Sequence, residues 1–391
     1  MDIKITPQKL SGSIKATPSK SYAHRLFLAA ALADKPTLIY CPSLSKDTEA
    51  TLCAITALGA KAEQINGKQI KITPIKNRQI AKADIFCGES GTTARLILPI
   101  AASLCQKATV SGQGSLLSRP LAALCKALEN NGCSFNAHTL PITLTGTLNP
   151  GNYQIIGNES SQYISGLLLA LPLLTDSSRI TLTTPLESVG YVDITLDVLK
   201  QFDAKIEGMY DIPGNQIYRS PGKATVEGDW SNAAFWLAAG VKVSGLDSLS
   251  CQKDRFFEQI KDQSDIDAID VPDLVPILAV YAASKHTVTR INNIGRLRLK
   301  ESNRIETVGN MLKALGTKIK TDQNEIIIYG QGFLSGGVVN GSNDHRIVMA
   351  AAIASTFCNK PVIITGTQAV DKSYPSFFKD FQMLGGKFDV L

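Results

Sequence analysis

Nine consecutive residues, Arg296-Leu297-Arg298-Leu299-Lys300-Glu301-Ser302-Asn303-Arg304, carry the densest charge in this chain. Alternation through Leu299 predicts a strand with one polar face, and Lys300-Glu301 then falls at a strand-to-helix turn. If Lys300 and Arg304 face one site, Glu301 beside them is a carboxylate whose proton affinity can be tuned for acid–base work. A plain surface array of ion pairs is the competing reading. Lys20, Ser21 and Arg25 form a second group. On a helix beginning near Ser19, Ser21 and Arg25 share a face, and Lys20 in the first turn can aim its ammonium at whatever the N-terminus holds. Ser160, Ser161 and Gln162 offer side-chain and backbone donors of the kind that cradle a phosphate, with local capping before Tyr163 as the plainer alternative. Arg119 follows a Gly-rich stretch, 111–118, and precedes Pro120, a residue suited to a first helical turn. Arg95 either faces the same cleft or braces it. Asp344-His345-Arg346 and Asp371-Lys372 add cations. Asp273, embedded in Val-Pro-Asp-Leu-Val-Pro, is either a helix cap or a carboxylate pointing into the same space. Several cations with two or three carboxylates suit a substrate pair bearing phosphates and carboxylates.

The elements that must position these groups repeat. Six polar clusters each precede a helix-like run of small apolar residues, at 23–33, 94–104, 164–174, 233–239, 274–283 and 347–355. Each run is followed by a short strand. Most units then add a second amphipathic helix stopped by glycine, as at Gly59, Gly132, Gly316 and Gly385. The period is roughly 70 residues, the fourth copy being shorter. One such cluster is an ordinary cap; six in one register predict convergence of helix N-termini, with their unpaired N–H groups and partial positive charge, on an anion-binding cleft. The runs rich in Ala, Leu and Gly predict helices packed inside with sheets around them.

The 391 residues suffice for two domains, and 44% hydrophobic with 19% charged residues is ordinary for a soluble globular protein. The formal charge of +6 is spread thinly, without Lys/Arg blocks, which disfavours nucleic-acid binding. No apolar stretch reads as a membrane span or signal peptide. Eight irregularly spaced cysteines, among them Cys53, Cys105 and Cys125 in apolar settings, are expected to be reduced core thiols in cytoplasm. Four histidines without a His-x-x-x-His pair argue against a catalytic metal site, and neither Gly-containing loop matches a Walker A or dinucleotide fingerprint.

Pro18-Ser19-Lys20-Ser21 with His24-Arg25, Glu89-Ser90-Gly91-Thr92-Thr93-Ala94-Arg95 and Leu117-Ser118-Arg119-Pro120-Leu121 together resemble the 5-enolpyruvylshikimate-3-phosphate synthases of the shikimate pathway. So do Ser160-Ser161-Gln162, the 298–305 run and Asn343-Asp344-His345-Arg346, and the resemblance runs from Ile5 to Phe388. It implies an α/β fold of two inside-out α/β barrel domains, each with pseudo-threefold repeats of a helix-and-strand unit, six units in all. The expected domains are 1–12 with 227–391, and 13–226, with the active site in the cleft between them. It also implies that Lys20, Ser21, Arg25, Ser160, Ser161, Gln162, Ser188, Asp273 and Lys300 hold shikimate 3-phosphate. Lys20, Gly91, Thr92, Arg119, Gln162, Arg304, Arg346 and Lys372 are implied to hold phosphoenolpyruvate. No cofactor or metal is expected, and a monomer acting on these two small molecules is.

The resemblance implies addition followed by elimination, with Glu301 exchanging the C3 proton, Asp273 receiving the hydroxyl proton and Lys20 able to share either step. Glu89 stands where a small amide is common, Arg296 where an asparagine can occur, and Asn303 where aspartate is frequent. An extra carboxylate at Glu89 repels an anion unless Arg95 or another base neutralises it. Two rivals are a UDP-N-acetylglucosamine enolpyruvyl transferase and a non-catalytic anion-binding protein of the same fold. The loop at 111–119 lacks the cysteine that the first rival expects.

Overall fold

The computed structural model describes residues 1–391, which divide into two compact units, Pro18–Glu227 and Met1–Thr17 with Gly228–Leu391. The first crossing falls after Thr17 rather than near Gly12, because strand Ser13–Lys15 pairs in parallel with Lys242–Ser244 and so stays with the second unit. The other crossing falls at Glu227, one residue beyond the expected Val226.

The unit Pro18–Glu227 contains helices α1 (Lys20–Leu32), α2 (Lys46–Ala57), α3 (Gly91–Leu104), α4 (Ala122–Glu129), α5 (Ser161–Ala170) and α6 (Val189–Gln201). Its three sheets share one pairing order. Lys223–Thr225 runs parallel to Thr37–Tyr40, which pairs antiparallel with Gln69–Thr73, and that with Lys61–Gln64. Ile80–Phe86, Cys105–Ser111, Ile142–Gly146 and Cys133–Phe135 follow the same order. Asn152–Ile155, Ser178–Leu182 and Asp211–Ile212 form a three-stranded version.

The other unit contains α7 (Trp230–Ala238), α8 (Phe257–Ile260), α9 (Val275–Ala283), α10 (Arg304–Ala314), α11 (His345–Ala354) and α12 (Phe377–Met383). Two of its sheets repeat the parallel, antiparallel, antiparallel order. One is built on Asp265–Asp267 and Val288–Asn292, the other on Gly337–Asn340 and Val362–Thr365. The short fourth repeat explains why its sheet has only two strands and its second helix, α8, a single turn.

Helices are the interior. Every residue of α11 is buried, and α9 is buried except at Tyr281, whereas strands such as Ile3–Thr6 alternate buried and exposed residues. Small side chains permit this. Ala, Gly and Leu let helices approach one another, while each sheet keeps one wet face. Gly166 shows the closeness: a Cβ there would lie 2.6 Å from the Arg95 carbonyl oxygen on α3. No helix is long and apolar enough to cross a membrane.

Three local expectations are corrected. Residues 296–299 are not a strand. Gly295–Leu299 is a 3₁₀ turn, in which Arg296 and Leu297 are buried consecutively and Arg298 and Leu299 are exposed. Asn293 at φ 57° ends the preceding strand, and the Asn324 side chain takes the Gly295 N–H at 2.8 Å. Pro120 lies ahead of the α4 cap, Leu121, rather than in its first turn. Cys53 is exposed on α2 rather than in a core, although all eight cysteines are free thiols.

Candidate functional site

Charged residues gather at helix N-termini within each unit. In Pro18–Glu227, Lys20 opens α1 and its ammonium donates to Asp47 Oδ2 at 2.9 Å, at the start of α2. Arg25 is 1% exposed and ties three helices together. Its Nε donates to Thr195 Oγ1 at 2.6 Å, Nη1 to the Ser21 carbonyl at 2.8 Å, and Nη2 to Ser165 Oγ at 3.2 Å and the Tyr191 carbonyl at 2.9 Å. Burial pulls its guanidinium down to about 10, with Tyr191 and Tyr22 opposing, so it stays charged near neutrality.

Ser160 caps α5 with extended backbone but no side-chain cap bond, and Ser161 is its first residue. The hydroxyls of Ser21, Ser160 and Ser161 therefore stand at the starts of α1 and α5 with no hydrogen bond to the protein. Ser188 begins α6 from a left-handed conformation, φ 54°. Gln162 joins α5 to α3 by donating to Thr92 Oγ1 at 2.8 Å and accepting from Arg95 Nη1 at 3.0 Å. Arg95 also donates to the Pro120 carbonyl at 3.3 Å and lies over the Tyr163 ring, so it braces this region. The Arg119 guanidinium covers Gly91 so closely that a Cβ there would fall 2.4 Å from Nη1. The Glu89 carboxylate packs against Gly114, where a Cβ would lie 2.7 Å from its carboxylate carbon.

The unit that holds α7–α12 builds a different cluster. Arg304, the first residue of α10, is 1% exposed and meets three carboxylates. Its Nη1 lies 2.8 Å from Asp273, Nη2 2.7 Å from Glu301 and Nε 2.8 Å from Asp344. Burial alone pulls its guanidinium down, but Asp344, Glu301 and Asp273 together raise it well above the ordinary value. Asp273 also pairs with Arg346 at 3.2 Å and Lys300 at 3.6 Å. It does not cap α9, whose cap is Leu274, since cations from α10 and α11 occupy its oxygens. Burial pushes the Lys300 ammonium down to about 8, against the pull of Asp273 beside it. Lys372 donates to the Asn343 carbonyl at 2.7 Å, and Arg296 donates to the Ile269 carbonyl at 2.8 Å.

Asp273 and Glu301 beside Arg304, and Gln162 beside Arg95, were sequence candidates; other partners of the cations were missed. Asp344 lies in a polar cluster and was named only as part of its motif, whereas Asp47 lies in none of the six clusters. Asp254 had no signal. It is buried against Ser231 at the start of α7, and burial first, then Asp273, raises its carboxyl to about 7.

The chain matches the family model described as EPSP synthase (3-phosphoshikimate 1-carboxyvinyltransferase) over residues 5–252 and 246–381. It is 40% identical to a 3-phosphoshikimate 1-carboxyvinyltransferase of Clostridium novyi (strain NT), covering 99% of this chain and 98% of that one. The protein of the same name from Clostridium kluyveri is 38% identical over 99% of this chain and 98% of its own length. Among solved structures, an EPSP synthase from Acinetobacter baumannii superposes over all of both chains with TM-score 0.81 at 22% identity, a likeness of fold.

Proposed function

Because the chain belongs to the EPSP synthase family, we propose that its cationic helix N-termini hold the two substrates of that reaction. The enzyme transfers the enolpyruvyl group of phosphoenolpyruvate to shikimate 3-phosphate in the shikimate pathway. Ser160, Ser161 and Gln162 hold the phosphate of shikimate 3-phosphate, joined by Ser21 and Ser188, while Arg25 contributes charge from beneath. The single observation behind this assignment is the set of serine hydroxyls at the starts of α1 and α5 that make no bond to the protein. Donors left open beside a buried cation are suited to an anion that arrives from solvent.

Phosphoenolpyruvate is held by Lys20, the Gly91-Thr92 backbone, Arg119, Arg304, Arg346 and Lys372, and Asp273 and Lys300 bind the ring hydroxyls. The 5-hydroxyl gives its proton to Asp273 as its oxygen attacks C2, and Glu301 protonates C3. Glu301 then takes a proton back from C3 as phosphate leaves the tetrahedral intermediate, and Lys20 balances charge at the reacting centre. Each cluster belongs to one compact unit. The recurrent order of the sheets around buried helices supports a pseudo-threefold, inside-out α/β barrel for each unit.

Phosphate release with shikimate 3-phosphate and phosphoenolpyruvate tests the assignments, with UDP-N-acetylglucosamine run beside them. Ser161→Ala is expected to raise KM for shikimate 3-phosphate, and Glu301→Gln to lower kcat by about 10²–10⁴. Undiminished turnover in Glu301→Gln removes that residue from proton transfer.

A further inference from the structure

Helices α1 and α2 are joined by two polar rungs one turn apart. The outer rung is Lys20–Asp47 at 2.9 Å, and the inner is His24 Nδ1 to Thr51 Oγ1 at 2.6 Å. Each helix supplies its two groups at i and i+4, so both rungs lie along one seam. The inner rung continues into α3: Thr51 Oγ1 lies 2.7 Å from Thr93 Oγ1, which donates to Ser90 Oγ at 2.8 Å. Ser90 caps α3 by accepting the Thr93 N–H at 3.1 Å, and Thr93 Oγ1 also reaches the Asp47 carbonyl at 3.4 Å. His24, Thr51, Thr93 and Ser90 are all fully buried.

The direction of the bonds is fixed from the far end. Thr93 gives its hydroxyl proton to Ser90, so it accepts from Thr51, and Thr51 accepts from His24 Nδ1–H. His24 is thereby assigned as the Nδ1–H tautomer, with Nε2 buried and without a partner. Burial, with Lys20 and Arg25 nearby, holds it well below the usual histidine range, consistent with a neutral ring. An orphaned buried nitrogen is a cost that an apolar side chain at position 24 avoids. Simple packing therefore does not explain this residue.

We propose that His24 and Thr51 are positioning residues for phosphoenolpyruvate: their chain of hydroxyls sets the Lys20 ammonium and the Gly91-Thr92 backbone relative to each other. The proposal rests on the reading of Lys20, Gly91 and Thr92 as part of the phosphoenolpyruvate site. Lys20 sits one turn above His24, and the chain ends on the cap from which Gly91 and Thr92 project. Removing the inner rung leaves the Lys20–Asp47 pair on this seam, so α2 and the α3 cap can shift against α1, which Arg25 holds to α5 and α6. The serine hydroxyls on α5 do not belong to the chain, and the Arg25 bonds keep Ser21 and Arg25 with α5 and α6, so shikimate 3-phosphate affinity is separable from it.

Steady-state kinetics of Thr51→Val, His24→Leu and His24→Asn test this, together with shikimate 3-phosphate affinity by fluorescence titration. The near-isosteric Thr51→Val is expected to raise KM for phosphoenolpyruvate about 10- to 100-fold, with shikimate 3-phosphate affinity within about twofold of the parent. His24→Asn keeps a donor near Nδ1 and is expected to recover most of what His24→Leu loses. If His24→Leu does not fold, Thr51→Val carries the test alone. An unchanged phosphoenolpyruvate KM in Thr51→Val overturns the proposal, as does an equal loss of affinity for both substrates. Arg119→Ala separates the two levels. A parental KM there overturns the assigned phosphoenolpyruvate site, whereas a raised one beside an unchanged Thr51→Val overturns the positioning role only.

Discussion

Arg25 and Arg304 are equally buried, each 1% exposed, and each joins several helices of its own unit, yet they are held in opposite ways. Arg25 is surrounded by hydroxyls and carbonyls, which satisfy its N–H groups but leave its charge uncompensated. Arg304 is caged by Asp273, Glu301 and Asp344. Burial therefore lowers Arg25 to about 10, while the carboxylates lift Arg304 well above its ordinary value. The difference is functional as well as energetic. Three cations (Lys300, Arg304, Arg346) offset three carboxylates in the Arg304 cluster, so an anion arriving there must compete with them. The same contacts keep Asp273 and Glu301, the proposed proton carriers, beside the cations proposed to bind substrate. An anion arriving near Arg25 meets serine hydroxyls and a positive charge without that competition.

The largest test removes each guanidinium in turn. Arg304→Met strands carboxylates in the interior and is expected to cost about 3–5 kcal/mol of stability in denaturant unfolding. Arg25→Met strands only neutral acceptors and is expected to cost about 1–3 kcal/mol. Equal losses break the contrast. A pH series sharpens it further. Lys300 is charged below about 8, so affinity for shikimate 3-phosphate is expected to fall as pH rises through that value, by up to about tenfold per unit. Lys300→Arg moves that limb to higher pH; an unmoved limb assigns it to another group. The last test concerns Asp254, whose carboxyl is raised by burial first and by the charges of Asp273 and Asp229. The fold keeps its proton up to about 7, whereas the unfolded chain releases it near ~3.9. The folded state thus binds more protons between those values, and stability falls as pH rises through them. Asp254→Asn is expected to flatten this slope, by about 1–3 kcal/mol at pH ~8 relative to pH ~5. The slope is read from unfolding midpoints across that range.

Much of the fold was legible because its repeats are written in short-range patterns. Small-residue runs gave the buried helices α1, α3, α5, α7, α9 and α11, and Gly59, Gly132, Gly316 and Gly385 marked ends of the outer ones. Alternation misled at 296–299, where a hydrogen bond from Gly295 to Asn324, distant in sequence, favours a 3₁₀ turn over a strand. Lys20, Arg25 and Arg304 stood out by charge, as did Asp273 and Glu301, but which groups meet which did not. Asp47 is 27 residues from Lys20, Thr195 is 170 from Arg25 and Asp344 is 40 from Arg304.

The sequence alone thus determined the helix starts, the repeat and the identity of the charged side chains at each start, because capping, periodicity and glycine stops act over a few residues. Tertiary structure decided which of those charges are neutralised and which remain open. Whether a buried guanidinium meets a carboxylate or a hydroxyl depends on which helices pack together, and that is set across tens to hundreds of residues. The open serines of α1 and α5, the caged Arg304 and the hydroxyl chain from His24 to Ser90 all belong to that second category.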